Sequence, residues 1–108
     1  MIEEVFTLAR SPERTVEKVI QDDNVNYIHM IFNKDEGLPL HYSNSNVYMT
    51  VLQGTLTIGL NDQEDHHYSV GTLLKIPYKI KMNVRNLHDD MLELLVIKAP
   101  APKYYKPE

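Results

Sequence analysis

Two stretches of this chain, HYSNSNVYMTVLQG (residues 41–54) and GTLLKIPYKIKMNVRN (residues 71–86), decide which fold the sequence predicts. Each contains a short run of alternating apolar and polar residues beside a glycine, which is typical of a β-strand next to a turn. Sixteen residues separate Gly54 from Gly71, and they contain the turn-forming segment NDQED (61–65) between further strand-like runs. Short strands punctuated by turns predict an all-β sandwich or barrel.

The spacing of these stretches resembles the cupin family, whose motifs are G-x5-H-x-H-x3-E-x6-G and G-x5-P-x-G-x2-H-x3-N. With the first motif aligned on His41, the retained turn positions are Gly54, Gly71, Pro77 and Asn86. Asp35 replaces the opening glycine, and Lys79 replaces the glycine of the Pro-x-Gly element. A pattern spread over two segments with the right gap is seldom met by chance. The resemblance covers about residues 13–98 and implies a cupin-type double-stranded β-helix, a small all-β jelly-roll barrel.

The positions at which this resemblance would place metal ligands carry other residues. The first motif puts its two histidines at His41 and Ser43 and its glutamate at Val47. The second motif puts its histidine at Met82. An iron, manganese or zinc site needs about three or four imidazole or carboxylate donors, and only one of these four residues supplies such a donor. We therefore expect no tightly bound metal and no cofactor here.

The other histidines do not readily rebuild a metal site. A non-standard site built on His29 and His41 stays open, although two imidazoles fall short of a full ligand set. His66 and His67 lie in the predicted hairpin, where neighbouring strand residues point to opposite faces, and we expect them in a surface loop. His88 precedes two aspartates and is expected in a solvated turn.

The predicted barrel interior offers a pocket for a small molecule. Alternation places Val47 and Met49 on the inward face of one strand and Met82 on that of another, which gives apolar walls with a few polar groups near the mouth. The predicted pocket residues are His41, Ser43, Val47, Tyr48, Met49 and Met82. An alternative stays open, because the side chains of a small barrel can also fill it completely.

Composition limits the class of protein and its partners. A chain of 108 residues is expected to be one domain with its own core. The absence of cysteine excludes disulfides and thiolate chemistry. A net charge of −4 without a basic cluster argues against nucleic acid and leaves small neutral or cationic ligands open. No long apolar run indicates a membrane span or signal peptide, so we expect a cytoplasmic protein.

We expect three parts along the chain. They are an N-terminal segment (1–12), the cupin barrel (13–98) and an extended proline-rich arm (99–108). Ser11-Pro12-Glu13 could start a helix, but residues 14–20 occupy the place of an early strand in compact cupins, and we favour a strand. The resemblance also implies a homodimer, and the apolar outer faces predicted for residues 28–32 and 91–97 agree with this.

Three functions remain open from the sequence. The one we favour is a metal-independent cupin that binds a small molecule in its barrel or serves as a dimeric accessory or sensing module. The second is a metal-dependent cupin enzyme of the isomerase, dioxygenase or decarboxylase kind with a non-standard ligand set. The third is a purely structural barrel. A hydrolase built on Ser43 and His41 finds little support, because no orienting acid or strained turn accompanies them.

Overall fold

A computed structural model describes residues 1–102, and the regular elements of that range are nine β-strands. They are β1 (Thr15–Gln21), β2 (Asn26–Asn33), β3 (His41–Tyr42), β4 (Asn46–Gln53), β5 (Leu56–Leu60), β6 (His66–Tyr68), β7 (Leu73–Ile76), β8 (Lys81–Arg85) and β9 (Met91–Ala99). A five-stranded sheet has the order β1-β2-β9-β4-β7, and a four-stranded sheet has the order β3-β8-β5-β6. All named pairings are antiparallel. The all-β prediction is confirmed.

The hydrophobic core lies between the two sheets, because each strand turns alternate side chains inward. On β4 the inward set is Val47, Met49 and Val51, as the alternation predicts. The large sheet adds inward residues from β2, β9 and β7, and the small sheet adds residues from β5 and β8. Full burial of one such side chain stabilises the fold by about 1.5–3 kcal/mol. Because many such side chains are buried between the sheets, apolar packing is the main interaction that stabilises the fold.

Strand β1 confirms the strand predicted for residues 14–20. Val16 pairs with Met30 and Lys18 pairs with Ile28, and the register shifts before Ile20. The hydroxyl of Ser11 accepts a hydrogen bond from the N–H of Glu13 at 3.0 Å, in a turn that precedes the strand. The local helix signal is overridden because β1 alternates and completes the edge of the large sheet.

The outer face of β2 is covered by the chain itself. Ile31 on that face is only 2% exposed. Residues 6–12 form a groove together with Ile31, Leu52 and Met91. Part of the apolar surface that we expected to favour a dimer is therefore buried within one chain, and the homodimer stays a prediction.

Other predictions fall on the hairpin and on the C-terminus. His66 and His67 do not lie in a loop, because they belong to β6 and pair with β5, although both are exposed. Residues 103–108 of the predicted arm lie outside the described residues. Within residues 1–102 the structure contains no helix of the length and apolar character that a membrane crossing requires.

Candidate functional site

A cavity of about 300 Å³ lies between the sheets, with mostly apolar walls. Its lining comes from β1, β2, β3, β4, β8 and β9 and from the segment that leads into β3. Three methionines, Met30, Met49 and Met82, contribute to the lining, and all three are buried. The mouth lies beside the edge strand β1, where Val16 is 43% exposed. The cavity thus extends from the exposed edge of the large sheet to buried residues of the core.

Four of the six predicted pocket residues line this cavity, namely His41, Val47, Met49 and Met82. Tyr48 does not, because its neighbours on β4 face inward and the pleat turns Tyr48 to the other face of the sheet. There the Lys75 ammonium lies 6.0 Å from the centre of its ring. The ligand-binding role of these residues stays a prediction.

Ser43 also lies outside the cavity lining, because its hydroxyl serves the backbone. Its Oγ donates a hydrogen bond to the carbonyl oxygen of Pro77 at 2.7 Å and accepts one from the N–H of Ile80 at 2.9 Å. The side chain is buried, with 3% exposure. Ser43 thus ties the segment between β3 and β4 to the turn between β7 and β8.

His41 is half-buried and pairs with Met82 across β3 and β8. Its Nδ1 lies 2.8 Å from the carbonyl oxygen of Pro39. A carbonyl can only accept, so Nδ1 carries a proton and donates, and in the neutral ring Nε2 is then the accepting nitrogen. His41 therefore offers a single nitrogen donor to a ligand or to a cation.

The donor set does not fit the metal site of the family motif. Val47 has no donor atom, Ser43 is used by the backbone, and the Met82 thioether is a soft ligand that suits copper(I). Within residues 1–102 no three His, Cys, Asp or Glu side chains come together as a metal site. One imidazole nitrogen and one thioether fall short of the three or four donors that a divalent cation needs.

The non-standard pair of His29 and His41 is ruled out by the pleat of β2. Ile28 and Met30 line the cavity, so His29 between them points to the opposite face of the large sheet. There its Nδ1 lies 2.7 Å from Oε2 of Glu17, and its Nε2 lies 2.6 Å from Oε2 of Glu93. Both ring nitrogens of this fully buried histidine are occupied outside the cavity.

Two lysines in the cavity lining were missed by the sequence reasoning, Lys18 on β1 and Lys98 on β9. Lys98 follows Leu94 and Val96 at alternate positions, so its inward direction could have been read from the pattern. Burial lowers the pKa of the Lys98 ammonium, and the positive charge of Lys18 lowers it further. The cavity therefore joins apolar walls to a cationic end.

No family model matches the chain. An uncharacterized protein of Methanocaldococcus jannaschii is 38% identical over 104 residues, which cover 95% of this chain and 90% of that protein. A crystal structure of an RmlC-like cupin family protein with a double-stranded β-helix fold, from the same organism, matches with a TM-score of 0.93. The identity is again 38%, over 96% of each chain. The chain belongs to the RmlC-like cupin family.

This cupin also shares its fold with more distant proteins. A cupin superfamily protein of Desulfitobacterium hafniense matches with a TM-score of 0.72 and 18% identity, over 86% of this chain and 83% of that one. A cupin domain of Bordetella pertussis matches with a TM-score of 0.70 and 15% identity, over 84% of this chain and 97% of that one. The double-stranded β-helix predicted from the motif spacing is confirmed.

Proposed function

We propose that this cupin binds a small organic molecule in the cavity between its sheets, without a metal ion. One observation carries the proposal: three positions of the metal-binding motif, His41, Val47 and Met82, line a mostly apolar chamber. An apolar chamber with a few polar groups is the usual form of a small-molecule site. The residues that would hold a cation in the motif thus serve as walls of a ligand pocket.

The size of the chamber supports a ligand over a filled structural barrel. Its volume of about 300 Å³ lies at the lower end of the range seen for ligand pockets. At roughly 30 Å³ for each water-sized group, it has room for about ten non-hydrogen atoms. A barrel that acted only as a scaffold would gain stability by filling this space, because an unfilled cavity forfeits packing contacts.

The methionines provide a direct test of binding in the cavity. The chain has five, of which Met30, Met49 and Met82 line the chamber, whereas Met1 is fully exposed and Met91 lies in the groove on the outer face. Protein labelled with ¹³C at the methionine methyl groups would be titrated with octan-1-ol and with octanoate in the presence of a chelator. We expect saturable shifts of the three cavity methyl signals, with the other two signals unchanged.

The same spectra can also contradict binding in the chamber. If neither compound moves the three cavity signals, or if the Met91 signal moves in their place, the chamber is not the binding site. A metal requirement would show as shifts that occur only when a divalent cation replaces the chelator. Because Met1 and Met91 are in the same sample, general effects of the added compound are separated from binding within the chamber.

A further inference from the structure

Two lysines at one end of the cavity have no acidic partner within residues 1–102. Lys18 projects from the edge strand β1 and Lys98 from the central strand β9, with β2 between them. No ion pair to a carboxylate is formed by either ammonium group in the described part of the chain. Lys98 is half-buried, and a partly desolvated ammonium that lacks an anion is unfavourable.

The register brings the two ammonium groups toward the same region. Lys18 is opposite Ile28 on β2, and Lys98 is opposite Asn26, two residues earlier on the same strand. Residues two apart lie on the same face of a strand, so both lysine side chains start from the inner face of the large sheet. The effect of Lys18 on the pKa of Lys98 agrees with this proximity, since two positive charges repel.

The lysines stand between the apolar chamber and a second, more polar cavity of about 410 Å³. Both lysines and Ile28 line the two cavities at once. The outer cavity also has Asp22 and Asp23 in its lining. The carboxylate of Asp22 accepts hydrogen bonds from the backbone N–H groups of residues 24 and 25, at 2.8 and 3.0 Å. The ammonium groups thus mark the boundary between an apolar interior and polar surroundings.

We infer that the ligand is a small apolar carboxylate, whose carboxylate group lies between Lys18 and Lys98 and whose apolar body fills the chamber. This inference rests on the proposed function and specifies its ligand class. A carboxylate forms charge-assisted hydrogen bonds with ammonium groups, which are about twice as strong as neutral ones. A cationic ligand would be repelled, and a neutral one would leave both lysines unpaired. A sugar would find few polar groups along the walls.

The test compares an acid with a neutral molecule of the same length. Octanoate and octan-1-ol would be titrated into the protein by calorimetry in the presence of a chelator. We expect octanoate to bind at least about ten-fold more tightly, because only it pairs with the lysines. The Lys98→Met variant keeps an apolar side chain of similar length and should lose most of this preference, because only the binding of octanoate depends on the ammonium group.

Three further variants control for folding and for net charge. Lys18→Met changes an exposed residue and should also reduce the preference, whereas Lys98→Arg keeps the charge and should retain it. Lys34→Met removes the same charge from an exposed turn and should leave both affinities unchanged. The thermal midpoint of each variant would show that it is folded.

The outcomes separate this inference from the proposed function. If both compounds shift the cavity methionine signals and bind with equal affinity, the chamber binds ligands but the carboxylate class is wrong. A preference for octanoate that survives in both Lys98→Met and Lys18→Met would also overturn the inference. If neither compound binds, the inference and the proposed function fail together.

Discussion

Lys79 shows how a turn can keep its shape after its glycine is lost. It has a φ of 68°, in the left-handed region, at the position where the family motif has the Pro-x-Gly glycine. Its backbone N–H donates a hydrogen bond to the carbonyl oxygen of Ser43 at 3.0 Å, which links the turn to the segment between β3 and β4. A residue with a side chain pays roughly 1–2 kcal/mol for this conformation. The strain is retained because the surrounding hydrogen bonds determine the backbone.

Two substitutions at residue 79 isolate the energetic cost of its backbone conformation. Lys79→Gly and Lys79→Ala remove the same lysine contacts, but only glycine adopts a positive φ without strain. We expect the glycine variant to be more stable than the alanine variant by about 1 kcal/mol in denaturant-induced unfolding. Lys75 in β7 provides the control, because its φ is not positive. At this position we expect the glycine variant to be less stable than the alanine variant. Equal stabilities at Lys79 would show that the turn is not strained.

On the outer face of the large sheet, a buried histidine joins three strands. His29 on β2 lies between the carboxylates of Glu17 on β1 and Glu93 on β9. The hydrogen bond to His29 lowers the pKa of Glu17, and a hydrogen bond from the N–H of Ala9 lowers it further. The same carboxylate therefore stabilises the sheet edge and holds the N-terminal segment against it. This cluster is structural and does not face the cavity.

The lowered pKa of Glu17 predicts the pH dependence of this contribution. A carboxyl group whose pKa is lower in the folded state stabilises the fold at any pH above its ordinary pKa, which is near 4.5. This contribution is lost as the pH falls through the lowered pKa. Glu17→Gln should therefore be less stable than the original chain at pH 7, and the difference should shrink as the pH is lowered below about 4.5. Denaturant unfolding at a series of pH values measures this difference.

A matched variant tests whether the effect is specific to this cluster. Glu64 lies exposed in the turn between β5 and β6, so Glu64→Gln removes the same charge without a buried partner. We expect it to have the stability of the original chain at every pH. The explanation by the lowered pKa of Glu17 would be contradicted if the cost of Glu17→Gln stayed constant down to acidic pH, or if Glu64→Gln followed the same curve.

Strands could be predicted from the sequence wherever one face was clearly apolar. β4 and β8 alternate strictly, and their inward residues are the ones the pattern indicates. β2 was ambiguous because both of its faces carry apolar residues, and only its neighbours show that Ile28 and Met30 face the core. The role of the N-terminal segment in covering the outer face depends on contacts between distant residues, which a local pattern does not contain.

The candidate site could be predicted only in part, for a related reason. The apolar lining follows from alternation, but Lys18 and Lys98 were not recognised as lining residues, because lysine is rarely buried. Ser43 was placed in the pocket by its position in the motif, and Tyr48 as a polar group near the mouth. A hydroxyl used by the backbone and a tyrosine on the opposite face become visible only when the three-dimensional contacts are known.

The molecule as a whole combines an acidic surface with a cationic cavity end. Its net charge of −4 left neutral and cationic ligands open, whereas the two lysines at the chamber favour an anion. The lysines determine the electrostatic potential at the cavity, because salt screens exposed charges that lie farther away than a Debye length, about 8 Å at physiological salt. This cupin thus keeps the barrel of its family, while the motif positions that line its cavity, His41, Val47 and Met82, provide one imidazole nitrogen, one apolar side chain and one thioether.

The metal content of the purified, untagged protein is the most direct check on this view. Elemental analysis would be combined with thermal unfolding before and after treatment with a chelator. We expect far less than one equivalent of iron, manganese, zinc, nickel or copper per chain, and an unchanged unfolding midpoint after chelation. One equivalent of any of these metals, together with a lower midpoint once it is removed, would contradict a metal-independent cavity.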